Sequence, residues 1–170
     1  MKKGVVLMRE VKIKDYGLEF GNLTTRLSKK KIVIHHTGNS GVDDDLSAKT
    51  IHKSHQNIGW AGIGYHYVVR KDGTIEEGRP HWTIGAHAEG HNSYTIGIHV
   101  SGNFEIGKPT AKQIEGLSLI LAKVGSDYGL PMTPEYVVPH SDLNSTACCG
   151  KNLKDGLQTV RGKAIWYQNN

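Results

Sequence analysis

The sequence predicts an α/β domain with one central mixed β-sheet and helices against its faces. Three observations predict it. A short β-branched run ends in histidines at Lys31–His36, a hairpin pattern surrounds Asp72-Gly73, and two capped helical periods are interspersed with these strands. The chain has 170 residues, the size of one ordinary domain, and no repeat, low-complexity tract or Pro/Ser-rich linker divides it. Residues 1–170 are therefore read as a single domain.

Lys31–His36 (KIVIHH) has lysines ahead of it and Thr37, Gly38 and Asn39 behind, the pattern of a buried central strand. Ser47 suits a helix N-cap. Ala48–Asn57 then places Ile51 and His55 on one face before Gly59 stops the helix. In GIGYHYVVRKDGTIEEGR, Tyr65, Tyr67 and Val69 alternate with His66, Val68 and Arg70. Asp72-Gly73 is hairpin-turn chemistry, and the return strand begins at Thr74. Ser93–Val100 reads as another strand by alternation. Thr110 caps a second helix with apolar residues at Ile114, Leu117, Leu121 and Val124, ending near Gly129. Tyr136–Val138 is a short strand leading through Pro139 to His140, and Leu153 to about Trp166 forms the last helix.

Composition limits the function classes. No apolar run approaches the roughly 20 residues that cross a bilayer. The N-terminus begins MKKGVVLMREV, but its apolar stretch, Val5–Met8, is shorter than the roughly 7–15 residues of a signal-peptide core. The chain reads as made in the cytoplasm without a classical signal peptide. A net charge of +5 favours an anionic partner. Nucleic acid is not that partner by expectation, because outside Lys29–Lys31 the basic residues are dispersed and no stacking aromatics interleave with them.

The two cysteines, Cys148 and Cys149, are adjacent. A disulfide between neighbours closes almost no loop and strains the peptide, so a thiolate role for one of them is the better reading. Histidine is plentiful, and each one needs a reason before it becomes a ligand. His35 ends a rigid buried strand, where a ligand loses little freedom. His140 follows a second strand, and Cys148 follows across a seven-residue loop of small polar residues that can fold back on it. Two imidazoles and one thiolate suit zinc, and three protein ligands leave a fourth position open, as in catalytic rather than structural sites. The spacing alone has no exclusive meaning.

Four ordered segments carry more: IVIHHTGNS, GYHYVVRKDGTIEEGR, GAHAEGHNSYTIGIHVSGNFE and HSDLNSTACCGKNL. Together, from about Lys31 to Leu153, they resemble the motifs of the zinc-dependent N-acetylmuramoyl-L-alanine amidases of type 2, the family that includes phage lysozyme-type amidases and peptidoglycan recognition proteins. The first thirty residues and the last helix add nothing to the likeness. The resemblance implies that fold and one Zn2+ held by His35, His140 and Cys148. The family commonly has proline after the ligand cysteine, where this chain has Cys149; the eight-residue step from His140 favours Cys148 as the ligand. It further implies that Tyr65 helps catalysis, assisted by Thr146 where phage enzymes often carry lysine. His87 is implied to line the groove. Arg79, closing the hairpin in EEGRP, is a candidate either for a substrate carboxylate or for a structural salt bridge.

The implied reaction is hydrolysis of the amide between the lactyl group of N-acetylmuramic acid and L-alanine, in a shallow groove suited to peptidoglycan. The expected protein is a monomeric phage or prophage endolysin, or a bacterial autolysin, acting on the wall after release or export. The alternatives are a peptidoglycan-binding module that does not cut, disfavoured by the presence of Cys148, and a zinc peptidase of the stem peptide.

Overall fold

The computed structural model describes residues 10–170. The weighed apolar stretch Val5–Met8 lies outside them. Six strands form one sheet: β1 (Ile13–Lys14), β2 (Lys31–His36), β3 (Tyr67–Val69), β4 (Ile75–Glu77), β5 (Thr95–Val100) and β6 (Val137–Pro139), in the order β1-β4-β3-β5-β2-β6. Only the β3–β4 hairpin is antiparallel; the other neighbours run parallel. Three helices complete the fold: α1 (Ala48–Asn57), α2 (Ala111–Tyr128) and α3 (Lys151–Asn169). This is the mixed sheet flanked by helices that the sequence predicts. No helix among the described residues is long and apolar enough to cross a membrane.

Side-chain alternation divides the sheet into two faces. Ile32 and Ile34 of β2, Ile96 and Ile98 of β5 and Val137 of β6 face the main core, where they meet Leu117, Ile120 and Leu121 of α2 and Leu153, Leu157 and Val160 of α3. The intervening residues, Val33 and His35, Gly97 and His99, face the other way, toward α1. There a smaller cluster of Ala48, Ile51, Ile63 and Val68 is covered by Tyr16, Leu18 and Phe20.

Caps set the helix bounds. Ser47 accepts from Thr50 N–H ahead of α1. Thr110 and Gln113 form a reciprocal capping box on α2, and Gly129 closes that helix in the left-handed region at φ 65°. The last helix begins two residues earlier than its apolar period indicates. Glu105 Oε1 accepts from Lys151 N–H at 2.8 Å and Phe104 O from Asn152 N–H at 2.9 Å, satisfying donors at its first turn. The strand expected from Ser93 starts at Thr95, because Asn92–Tyr94 is taken up in a 3-10 turn.

The described segment before Lys31, residues 10–30, silent in the sequence, is structural. β1 pairs with β4, and Tyr16 Oη donates to Glu76 Oε2 at 2.5 Å. Glu76 is 1% exposed; it also accepts from Ala48 N–H at 2.9 Å, capping α1, and from Arg70 at 3.2 Å. One carboxylate thus ties the N-terminal segment, β4 and α1 together. Lys29 is buried as well, donating to the carbonyls of Thr83 (2.5 Å) and Thr95 (3.5 Å), and burial, with Arg26 adding, pushes its pKa down to about 8 from 10.5.

Two outcomes are expected. Glu76→Ala leaves Nη1 of Arg70, whose other nitrogens keep Asp45, together with a hydroxyl and a helix N–H without their acceptor, so denaturant unfolding should show a loss of about 2–3 kcal/mol, against about 1 kcal/mol for Tyr16→Phe. For Lys29, the unfolded chain holds a proton that the folded chain releases between pH 8 and 10.5, so its contribution to stability rises with pH across that window. Unfolding of wild type against Lys29→Met, whose difference cancels the thiols and phenols, should show the gap shifting in favour of wild type as pH rises.

Candidate metal centre

His35 is the fifth residue of β2, on the α1 face and 1% exposed. In the β2–β6 ladder Ile34 pairs with Pro139, so His35 and His140 occupy the next rung, with ring centroids 4.5 Å apart. The chain then turns through a 3-10 segment, His140–Asp142, and comes back; Ser141 N–H donates to Cys148 O at 2.7 Å, closing the loop. That closure sets Cys148 Sγ 3.6 Å from His35 Nδ1 and 3.3 Å from His36 N–H, which donates to it. One potential ligand atom from each of His35, His140 and Cys148 lies within 4.8 Å of the others.

These residues fit a zinc ion. With Zn–N near 2.1 Å and Zn–S near 2.3 Å, tetrahedral angles require an N···S separation of about 3.6 Å, which is the distance between His35 Nδ1 and Cys148 Sγ. The donors are also chemically ready. Burial, then the neighbouring His87 and His140, holds His35 well below its ordinary pKa, so its imidazole is neutral. Burial pushes the Cys148 thiol up to about 12. A thiolate there needs a cation beside it.

The other cysteine turns away. Cys149 is fully buried in the main core, as expected of a small packing residue.

Of the three donors His140 lines a cleft of about 530 Å³, shared with His55, Trp60, Tyr65, His87 and Thr146, and His35 lies buried behind it. Tyr65 lies on its floor, its ring 5.0 Å from that of His35 and 4.7 Å from that of His99. Burial, then Cys148, raises its pKa, so the phenol keeps its proton as a donor. Thr146 is exposed at the rim; its Oγ1 accepts from Cys148 N–H at 3.2 Å, which leaves the hydroxyl hydrogen for a ligand. His87 reaches the cleft and also lies 2.9 Å, Nδ1 to Nε2, from His35. Trp60 and His55, their ring centroids 4.7 Å apart and their planes tilted by 59°, form a wall that the sequence reading passed over; the signal available was an aromatic directly after the helix-stopping Gly59. Three of the other histidines satisfy main-chain groups: His36 Nδ1 accepts from Phe104 N–H, His52 from Ile63 N–H and His66 from Gly97 N–H.

A family model described as N-acetylmuramoyl-L-alanine amidase matches residues 26–151. The chain belongs to that family. Among its relatives, the endolysin of Klebsiella phage KP32 is 29% identical over 77% of this chain and 87% of its own length. Peptidoglycan-recognition protein SC2 of Drosophila melanogaster is 33% identical over 75% of this chain and 71% of its own. Of solved structures, the N-acetylmuramoyl-L-alanine amidase LysC from Clostridium intestinale superposes with a TM-score of 0.80 at 32% identity, covering 91% of this chain and 97% of that one.

Of the two roles open to Arg79, its surroundings favour the structural one, and it is not among the cleft's lining residues. Its side chain is buried rather than in the cleft, donating from Nε to Ile63 O at 2.8 Å and from Nη1 to Ile84 O at 3.0 Å. Those donors satisfy the carbonyls of two loop residues on either side of the hairpin's end, Ile63 and Ile84. Arg79→Met should therefore lower unfolding free energy by about 1.5–3 kcal/mol; unchanged stability with a raised KM would instead restore the carboxylate-binding role.

Proposed function

We propose that this amidase is a zinc hydrolase of peptidoglycan, with His35, His140 and Cys148 holding the ion and the cleft beside them receiving the muropeptide. The observation that carries this reading is the convergence of two neutral imidazoles and one thiol, from β2, the end of β6 and the returning loop, at the separation a tetrahedral ion requires. Bound there, Zn2+ would supply a Lewis acid that polarises the scissile carbonyl and acidifies water.

The chain's own residues do the rest. The Tyr65 phenol, kept protonated by burial, donates a hydrogen bond toward the oxygen on which negative charge develops. The Thr146 hydroxyl, anchored through Cys148 N–H, does the same from the rim without adding charge. Trp60, 43% exposed, and the tilted His55 ring beside it offer an aromatic wall against which part of a polymer can rest while its ends extend into solvent. The bond cut is the amide between N-acetylmuramic acid and L-alanine, and the place of action is the bacterial cell wall. An endolysin-type role is supported by the phage relative that the chain matches over 87% of its length.

Purified protein should carry one zinc per chain and release muropeptides whose lactyl carboxyl is free, as read by mass spectrometry. Products that retain alanine on muramic acid would mean a stem peptidase. Cys148→Ser should lose both zinc and turbidity clearing, whereas Tyr65→Phe should keep zinc and lower kcat by about 100- to 1,000-fold. A wild type that binds cell walls but yields no new amino termini would establish the binding-module alternative.

A further inference from the structure

We propose that the loop from His87 to Asn92 is a common brace of the metal centre, fixing through two separate hydrogen-bond chains which nitrogen each metal-binding imidazole presents. The inference rests on the reading that His35 and His140 hold the ion.

The first chain starts at His35. Its Nδ1 faces Cys148 Sγ and must offer a lone pair to a metal, so the ring proton sits on Nε2 and is donated to His87 Nδ1 at 2.9 Å. His87 then carries its own proton on Nε2, which lies 3.3 Å from Thr95 Oγ1. The Thr95 hydroxyl in turn donates to His91 O at 2.8 Å. Every link has one donor and one acceptor, and the direction is set by the last acceptor, a carbonyl. The second chain starts at His140. Its Nε2 lies 3.0 Å from Asn144 Oδ1, which can only accept, so Nδ1 is left with the lone pair. Asn144 Nδ2 donates to Glu89 O at 3.1 Å.

Both chains thus end on carbonyls of one loop, at His91 and Glu89. That loop is itself pinned, because Asn92 Oδ1 accepts from His87 N–H and Ala88 N–H, both at 2.9 Å. β5 makes room for it: a Cβ on Gly97 would stand 2.5 Å from His87 Cγ, so only glycine lets that ring lie against the strand. Partners of this kind orient a ligand ring and hold its tautomer, and their loss commonly weakens metal binding. His87, Asn144 and Asn92 are positioning residues on this account, whatever His87 also offers to substrate.

The test is metal affinity of the full chain, measured by chelator competition for Zn2+ and by the absorption spectrum of the Co2+ form. His87→Ala and Asn144→Ala should each weaken zinc binding by about 10- to 100-fold and shift the Co2+ bands. Asn92→Ala, which touches neither ligand, should do the same to a smaller degree. Asn144→Asp keeps the acceptor for His140 but loses the donor to Glu89 O, so it should recover only part of the affinity lost in Asn144→Ala. Near-ultraviolet circular dichroism of the metal-free variants separates this from misfolding, and Asn144→Ala, on a partly exposed loop, is the variant least exposed to that risk. Wild-type affinity in His87→Ala and Asn144→Ala, with only KM altered, overturns the brace while leaving the zinc reading intact. Failure of the wild type to take up any ion overturns both.

Discussion

The parallel register of β2 against β6 and β5 is the constraint on which the rest of the molecule depends. Parallel neighbours bring their carboxyl ends to the same side of a sheet, so residues over a hundred positions apart arrive together without any loop having to find them. Pairing of Ile34 with Pro139 makes His35 and His140 adjacent and points both to the α1 face. A slip of one residue in β6 would turn His140 into the main core and Val138 out of register with Val33. β6 is one of the two edge strands, where Pro139 can end it without breaking a ladder on its far side. The two faces of the sheet therefore have different duties. One is filled with isoleucine, valine and leucine and holds the register. The other spends its central positions on His35, Gly97 and His99, and its covering comes from α1 and the N-terminal segment.

This division accounts for the paired cysteines. The chain returning from His140 has to deliver a sulfur to the donor cluster and then enter α3, whose apolar stripe belongs to the opposite side of the sheet. Cys148 meets His35, and Cys149 is immersed in the main core next to the start of that helix. Between them the chain passes from polar site to hydrophobic interior within one residue. Gly150 follows at φ 86°, a conformation that a side chain would resist, with Phe104 backbone only 2.8 Å from where its Cβ would be.

Features governed by local rules were legible in the sequence. Ser47, Thr110 and Gly129 are caps whose chemistry lies within one turn of the helices they bound, and α1 and α2 follow from them. KIVIHH declared a buried strand by composition alone, and the ordered motifs brought His35, His140 and Cys148 into one set. Features governed by distant polar partners were not legible. Glu76 looks like any charged residue of a hairpin, yet it is buried between Tyr16, Arg70 and the start of α1. Arg79 looks like a surface cation and is an internal tie between two carbonyls. Asn92 and Asn144 sit in polar loops with no period to mark them, and their roles depend on which backbone groups the fold brings near. β1 is two residues long, below what any pattern of alternation can distinguish.

The electrostatics of the cleft follow from the same burial. Its described lining holds no lysine or arginine, and Thr146 contributes a hydroxyl at the rim. Positive charge for a developing oxyanion would then have to come from the bound ion, with Tyr65 and Thr146 supplying dipoles. Burial keeps the donors neutral before an ion arrives, since it raises the Cys148 thiol and lowers the His35 imidazolium. A thiolate formed there is shielded less by water than one at the surface, so its attraction to a divalent cation is correspondingly stronger. Ionisation of the thiol and capture of the cation are therefore coupled: each is unfavourable alone in that dry pocket, and each makes the other possible.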